Sequence, residues 1–342
     1  MYSYKLGIIY AKESNLLKKT DYDRILSLIS VRDVWTELVR LNLGYKEVSS
    51  FEVIENISQI FSQNIKNLYL EIVEYFKDED AKLKKSFLYE FDFYNLKLFY
   101  KQKIFKNFEN NDKKISFEKN FIDLGYIGLS KLSDYEKNGT LIFEIFDEKD
   151  IDFFQIFDIL KDEKNNISPL KFDIMLDKIL FDYRIKVAKN IKNEFLENFW
   201  KKQIDFYNIK IFFSDYKDEN KETLFIDNGF ISIENFKNVI SSNFSDEDLS
   251  VFFEKYDYKD ICREALKNKN DNGNNYNFEI LEEDLLLNFC KESSWNNIAL
   301  EPIISYFYKK YCEIKNLNRI LFNRAFKRGL EADFKISKSY SI

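Results

Sequence analysis

Apolar residues along this chain return at intervals of three and four rather than two. Leu88, Phe91, Tyr94 and Leu98 are spaced in this way, and Tyr311, Ile314, Leu317 and Leu321 repeat the spacing near the C-terminus. This is the period of one face of an α-helix. Shorter stretches with a similar pattern predict helical openings at residues 21–30 (Tyr22, Ile25, Leu26, Leu28, Ile29), 152–160 (Phe153, Phe154, Ile156, Phe157, Ile159, Leu160) and 248–256 (Leu249, Val251, Phe252, Phe253). Phe, Tyr and Ile each favour strands, but a sustained period outweighs a weak intrinsic preference. End signals agree. Ser245-Asp246-Glu247-Asp248 reads as a hydroxyl N-cap with acids in the first turn. Pro302 suits the first turn of the last long helix, and Gly329, after Arg324, Lys327 and Arg328, suits its C-cap. The polar, low-complexity stretch 267–277 predicts a surface loop. The fold class expected is all-α.

The pattern recurs three times. Asp92-Phe93-Tyr94-Asn95-Leu96-Lys97 returns as Asp205-Phe206-Tyr207-Asn208-Ile209-Lys210, and a looser third copy is Glu313-Ile314-Lys315-Asn316-Leu317-Asn318, followed by Arg319. Downstream, Phe121-Ile122-Asp123-Leu124-Gly125-Tyr126-Ile127 returns as Phe225-Ile226-Asp227-Asn228-Gly229-Phe230-Ile231, with Gly329-Leu330 as its reduced third copy. The copies follow at intervals of roughly 100–115 residues, about a third of the 342-residue chain. Three divergent helical repeats are therefore expected, over 1–115, 116–219 and 220–342. Asn228-Gly229 between apolar residues is also a hairpin signal. The matching copy has Leu124 there, which disfavours the positive φ such a turn needs, so a glycine-bearing loop between helices suits both copies better.

On a helix, residues three apart share a face, so Asp92 and Asn95, Asp205 and Asn208, and Glu313 and Asn316 form pairs. Asn95 falls on the apolar stripe, where a buried amide needs partners, most simply the backbone of a neighbouring loop. A structural role in docking one element on the next is expected for all three. The alternative, Asp92 or Asp205 as an acid/base, lacks any histidine, nucleophile or phosphate loop around it.

Composition narrows the function classes. There are no histidines, which removes imidazole acid/base work, histidine triads and histidine metal sites together. The three cysteines, Cys262, Cys290 and Cys312, show neither zinc nor disulfide spacing, so buried, inert thiols in a reducing compartment are expected. A net charge of −6 argues against a nucleic-acid binder, and Lys82, Lys84 and Lys85 lie among acids as a solvated face. Phosphate-binding glycine loops, dinucleotide fingerprints and EF-hands are absent. Trp35, Trp200 and Trp295 are scattered and read as core. No stretch is long and apolar enough to span a bilayer, so any membrane association is expected to pass through another protein. No cofactor, metal or small-molecule substrate is expected.

Taken in order, Tyr4-Lys5-Leu6, Ala11-Lys12-Glu13, Leu16-Leu17, Ile25-Leu26 and Tyr45 resemble the opening helices of a V-type ATPase family. Its members are the C subunits of the archaeal and bacterial (A/V-type) enzymes and the d subunits of the eukaryotic ones. Asp92-x-x-Asn95-Leu96-Lys97 is similar to that family's central motif. Glu301-Pro302-Ile303, Tyr306, Lys309-Lys310, Glu313-x-x-Asn316-Leu317-x-Arg319-Ile320-Leu321 and Gly329-Leu330 resemble its C-terminal helix. The departure is Asn318, at a place where the family pattern suggests a basic residue, with Arg319 one step on. The resemblance implies a pseudo-threefold funnel of three helical domains, non-catalytic, in the central stalk. It implies a peripheral position on the cytoplasmic side, receiving the D and F subunits of the central shaft, seated on the membrane proteolipid ring, and coupling ATP synthesis or hydrolysis to proton or sodium transport. The competing reading is a free-standing helical-repeat adaptor unrelated to any ATPase.

Overall fold

The computed structural model describes residues 2–41, 43, 45–46, 49–76, 81–106, 121–127, 129, 167–214, 221–242, 244–271, 276–294, 300–326 and 336–338. Among these residues every regular element is helical. In chain order they are α1 (Tyr2–Glu13), α2 (Lys19–Ser27), α3 (Val31–Arg40), α4 (Ser50–Tyr75), α5 (Ala81–Lys106), α6 (Pro169–Asn190) and α7 (Glu194–Phe213). A 3₁₀ turn at Lys221–Thr223 precedes α8 (Ile233–Ser241), α9 (Asp246–Glu254), α10 (Lys259–Asp271), α11 (Tyr276–Ser294) and α12 (Glu301–Ala325). The chain divides into two compact units: Met1–Tyr75 with Asp260–Ile342, and Phe76–Lys259.

In the first unit, α12 packs on α4, α11, α1 and α3. It is buried around most of its circumference, from Pro302 and Ile303 through Cys312 and Leu317 to Ile320 and Leu321. Tyr69 of α4 meets Phe307 of α12 edge-on, ring centres 4.9 Å apart. Aromatic rings supply large apolar areas at such crossings, each fully buried ring contributing about 1.5–3 kcal/mol. Helix ends are served by side chains. Arg324 donates from Nε to the Leu28 carbonyl (2.8 Å) and from a terminal nitrogen to the Leu26 carbonyl (2.9 Å), placing a cation at the end of α2. Lys5 donates to the Tyr75 carbonyl at the end of α4 (3.1 Å).

In the second unit, α5 packs on α6 and α6 on α7. Tyr100 and Phe172 stack with ring centres 3.9 Å apart. Buried Arg184 of α6 donates to the Ser86 carbonyl (3.1 Å) and to Glu90 (2.8 Å) on α5. The α6–α7 turn closes when the Asn193 amide donates back to the Ala188 carbonyl (3.0 Å), with Lys192 at φ 54°. Asn193 then caps α7 by accepting from the Leu196 amide (2.7 Å).

Several expectations are met and others corrected. Ser245 and Asp248 form a reciprocal capping box at the start of α9, Pro302 lies in the first turn of α12, and all three cysteines are buried. Trp35 and Trp200 are core; Trp295 lies outside the described residues, as do 152–160. The helical opening expected over 21–30 is α2, which starts earlier, at Lys19, and stops at Ser27, because Leu28 turns extended (ψ 136°); Ser30 then caps α3, accepting from the Asp33 amide. The loop expected over 267–277 is corrected at both ends, since α10 runs to Asp271 and α11 starts at Tyr276, while 272–275 lie outside the described residues. The last helix ends at Ala325 with Phe326 as its C-cap rather than at Gly329, which lies outside the described residues. On α5, Tyr94 faces solvent while Phe87, Phe91, Phe93 and Leu96 are buried. The helix is wrapped on more than one side, so a single stripe under-describes it.

Candidate functional site

The recurring acid and amide occupy equivalent places on three long helices: Asp92 and Asn95 on α5, Asp205 and Asn208 on α7, Glu313 and Asn316 on α12. All six are at most 2% exposed. Each asparagine grips one residue's backbone from both sides. The Ile122 amide donates to Asn95 Oδ1 (2.9 Å), and Asn95 Nδ2 donates to the Ile122 carbonyl (2.7 Å). Asn208 does the same with Ile226 (2.8 and 2.7 Å). Asn316 does it with Ser337 (3.0 and 2.8 Å), whose hydroxyl adds a bond of 3.1 Å to the same Oδ1. A primary amide offers a donor and an acceptor side by side, matching the N–H and C=O of one residue. A carboxylate in its place would face the carbonyl with no donor.

The acid holds the next stretch of the same loop. Asp92 accepts from the amides of Tyr126 (2.8 Å) and Ile127 (3.1 Å). Asp205 accepts from the amides of Phe230 (3.2 Å) and Ile231 (3.0 Å), and from the Tyr258 hydroxyl (2.9 Å). The glycines are what let the carboxylates in. A Cβ on Gly125 would stand 1.8 Å from Asp92 Oδ1, and one on Gly229 2.2 Å from Asp205 Oδ1. Neither glycine lies in the left-handed φ region; in the second loop Asn228 does (71°). Space at the carboxylate, not backbone freedom, is therefore what demands glycine here.

The third copy is built differently. Glu313 accepts from the Leu17 amide (2.7 Å) and from Lys310 (2.5 Å), so its acid pins a segment near the N-terminus. Beside it, Lys309 pairs with Glu13. Glu313 also lines a cavity of about 140 Å³ with Tyr45, Asn64, Glu71, Lys310 and Leu317. The basic positions diverge too. Lys97 pairs with Asp177 of α6 (2.5 Å), whereas Lys210 is exposed. At the corresponding place in α12, Asn318 has a buried Oδ1 without a hydrogen-bond partner, and Arg319 reaches Glu283 of α11 through two bonds of 2.6 Å. Lys315 joins the same carboxylate at 2.6 Å.

Electrostatics follow the surroundings. Burial pushes the Asp205 carboxyl up to about 7, against the pull of its amide and Tyr258 hydrogen bonds. Burial likewise raises Asp177, opposed by the Lys97 charge. It acts on Glu283 as well, but there the Arg319 hydrogen bonds and the charges of Lys315 and Arg319 prevail, so that carboxyl is held below its ordinary range. Asp205 has three donors on its oxygens and no exposure, so no substrate can reach it. No group of His, Cys, Asp and Glu residues suited to a metal ion occurs among the described residues.

Sequence reasoning singled out the acids, amides and glycines but did not identify Tyr258, Ser337, Leu17, Asp177 or Glu283 as partners. These partners stand 21 to 296 residues from the groups they meet (Ser337 from Asn316 and Leu17 from Glu313 are the extremes), and none carries a local motif. Ser337 lacks even the glycine that follows Ile122 and Ile226.

No curated protein matches the chain. The family model described as ATP synthase (C/AC39) subunit matches residues 6–328. That span takes in all three acid–amide pairs and the loops that the first two of them hold. The chain belongs to the C/AC39 subunit family of V-type ATPases.

Proposed function

We propose that this chain is the non-catalytic central-stalk subunit of its V-type ATPase, passing torque between the D and F subunits of the shaft and the membrane proteolipid ring. In this reading it sits peripherally on the cytoplasmic side, its three repeats form a pseudo-threefold funnel, and the complex moves protons or sodium ions. The observation that carries the reading is the family match over nearly the whole chain. The clamps support it, because a coupling element must not yield at its loops, and each loop here is tied to a helix through buried, charge-assisted or paired hydrogen bonds. No helix among the described residues is long and apolar enough to cross a membrane, so attachment through neighbouring subunits is consistent with the structure.

Reconstitution of the ATPase in liposomes with and without this subunit tests the proposal. ATP turnover by the soluble head should persist in its absence while ATP-driven ion uptake stops. Ion uptake at the same rate per ATP without the subunit would refute a coupling role.

A further inference from the structure

The residue after each clamp glycine is aromatic and turned outward: Tyr126 is 49% and Phe230 43% exposed. Exposed rings on a loop usually carry no positional order, but these two do. The amide of each is held by the clamp carboxylate, Tyr126 by Asp92 and Phe230 by Asp205. A lysine ammonium from the clamp helix lies against each ring. Lys85 stands 4.6 Å from the Tyr126 centroid, and Lys201 and Lys202 stand 5.7 and 5.6 Å from that of Phe230. The lysines come from different positions relative to the motif asparagine, ten residues before Asn95 but six and seven before Asn208. Both copies of the loop thus share one construction, with the lysine supplied from different helix positions: a fixed backbone, an outward ring and a cation on the ring.

We propose that these ring–lysine knobs are docking points for a protein segment that carries both carboxylates and apolar side chains. The carboxylates would meet Lys85 and Lys202, Lys201 being already paired with Glu197 (2.7 Å), and the apolar groups the open edges of the rings. Aromatic anchors with adjacent cations are the side chains that concentrate binding energy at protein interfaces. The pre-ordered backbone also lowers the entropy lost on docking. Charge favours such a segment over an anionic membrane. Exposed Asp123 and Asp227 lie three residues before the rings and would repel a sheet of phosphates, whereas a folded partner can set its charges around them.

The test uses the full chain in its native cells, tagged, with the photo-crosslinking residue benzoylphenylalanine at 126 or 230, purified in mild detergent and irradiated. Mass spectrometry should find both positions joined to acid-containing peptides of another protein. In parallel, the Tyr126→Ser/Phe230→Ser variant, which keeps both clamped amides, should retain that protein about tenfold less well at equal salt, with an unchanged melting temperature. Lys85→Gln/Lys202→Gln should weaken retention less and reduce its salt dependence. Crosslinks to lipid alone, or none at either site, or undiminished retention by the Ser variant would overturn the proposal. The outcome is separable from the coupling reading. If ATPase subunits co-purify but the knobs join nothing, the knobs fail and coupling stands. If the knobs join acidic peptides of another protein while no ATPase subunit co-purifies, coupling fails and the knobs stand.

Discussion

Replacing Gly229 with alanine asks whether the clamp depends on space at the carboxylate. The added Cβ would lie 2.2 Å from Asp205 Oδ1 and 3.2 Å from Ile204 Cγ2, so the carboxylate must move. Moving it breaks the bonds from the Phe230 and Ile231 amides, the second of them buried. At pH 8, above the raised value of Asp205, the carboxyl is ionised and hydrogen bonds to it contribute about 1.5–3 kcal/mol each, giving a loss of about 3–6 kcal/mol there. Stiffening the unfolded chain returns about 0.4–1 kcal/mol, leaving a net cost of about 2–6 kcal/mol. That is a large share of the 5–15 kcal/mol typical of a folded domain. Urea melts of the full chain would read the cost, and hydrogen exchange at the amides of 230 and 231 would locate it. Gly7→Ala is the control, because its Cβ meets nothing within 4 Å on α1, and it should be neutral or gain up to about 1 kcal/mol. The decisive arm places Gly229→Ala on an Asp205→Ala background, where the carboxylate is gone and the added cost should fall below about 1 kcal/mol. Equal costs on both backgrounds, or a Gly229→Ala melt that overlays the parent, would refute the reasoning. Gly125→Ala, at 1.8 Å from Asp92, should behave in the same way.

Asn95→Ala and Asn208→Ala should each destabilise by about 1–3 kcal/mol, the cost of leaving a buried amide and carbonyl unpaired, and thermal melts that coincide with the parent would contradict this. Asp205 makes stability depend on pH in a definite direction. Its folded value, raised by burial to about 7 from 3.8, means that between these pH values the folded chain keeps a proton the unfolded chain has released. Its contribution is therefore complete below about pH 4 and lost as pH rises through about 7. Asp205→Asn, which does not titrate, should flatten that part of the stability profile, and parallel profiles from pH 4.5 to 8 would count against the assignment.

The helical class was legible because the three-and-four period runs through segments as long as α5 and α12. The acid, amide and glycine were legible because they recur in order, and recurrence separates a constrained position from a random one. What recurrence could not supply was the partner of each group. Asp205 and Tyr258 are hydrogen-bonded but stand 53 residues apart, and Glu313 reaches an amide near the opposite end of the sequence. The period also overstated the simplicity of α5. Tyr94 sits on the expected stripe by spacing, yet faces solvent, because Phe93 and Leu96 take burial on another side. Helix ends were read a few residues wide where the stop was not a glycine, as at Leu28 and Phe326.

The difference between the clamps carries an argument about α12. In the first two copies acid and amide grip one loop, so each loop is held at two places four or five residues apart: Ile122 with Tyr126 and Ile127, and Ile226 with Phe230 and Ile231. In the third copy the two grips part. Asn316 takes Ser337, downstream of α12, and Glu313 takes Leu17, between α1 and α2. The acid in that copy is glutamate rather than aspartate, one methylene longer. Lys309 with Glu13, and Arg324 with the carbonyls of Leu26 and Leu28, bind the same N-terminal helices to α12. One helix therefore gathers segments that are far apart in the sequence. Terminal segments are ordinarily the first parts to fray, and tying them to a buried helix raises the free energy of local opening towards that of the whole unit. Under the proposed coupling role, an element that bears torque would fail at its weakest local opening, and the third copy departs from the other two by tying such segments down.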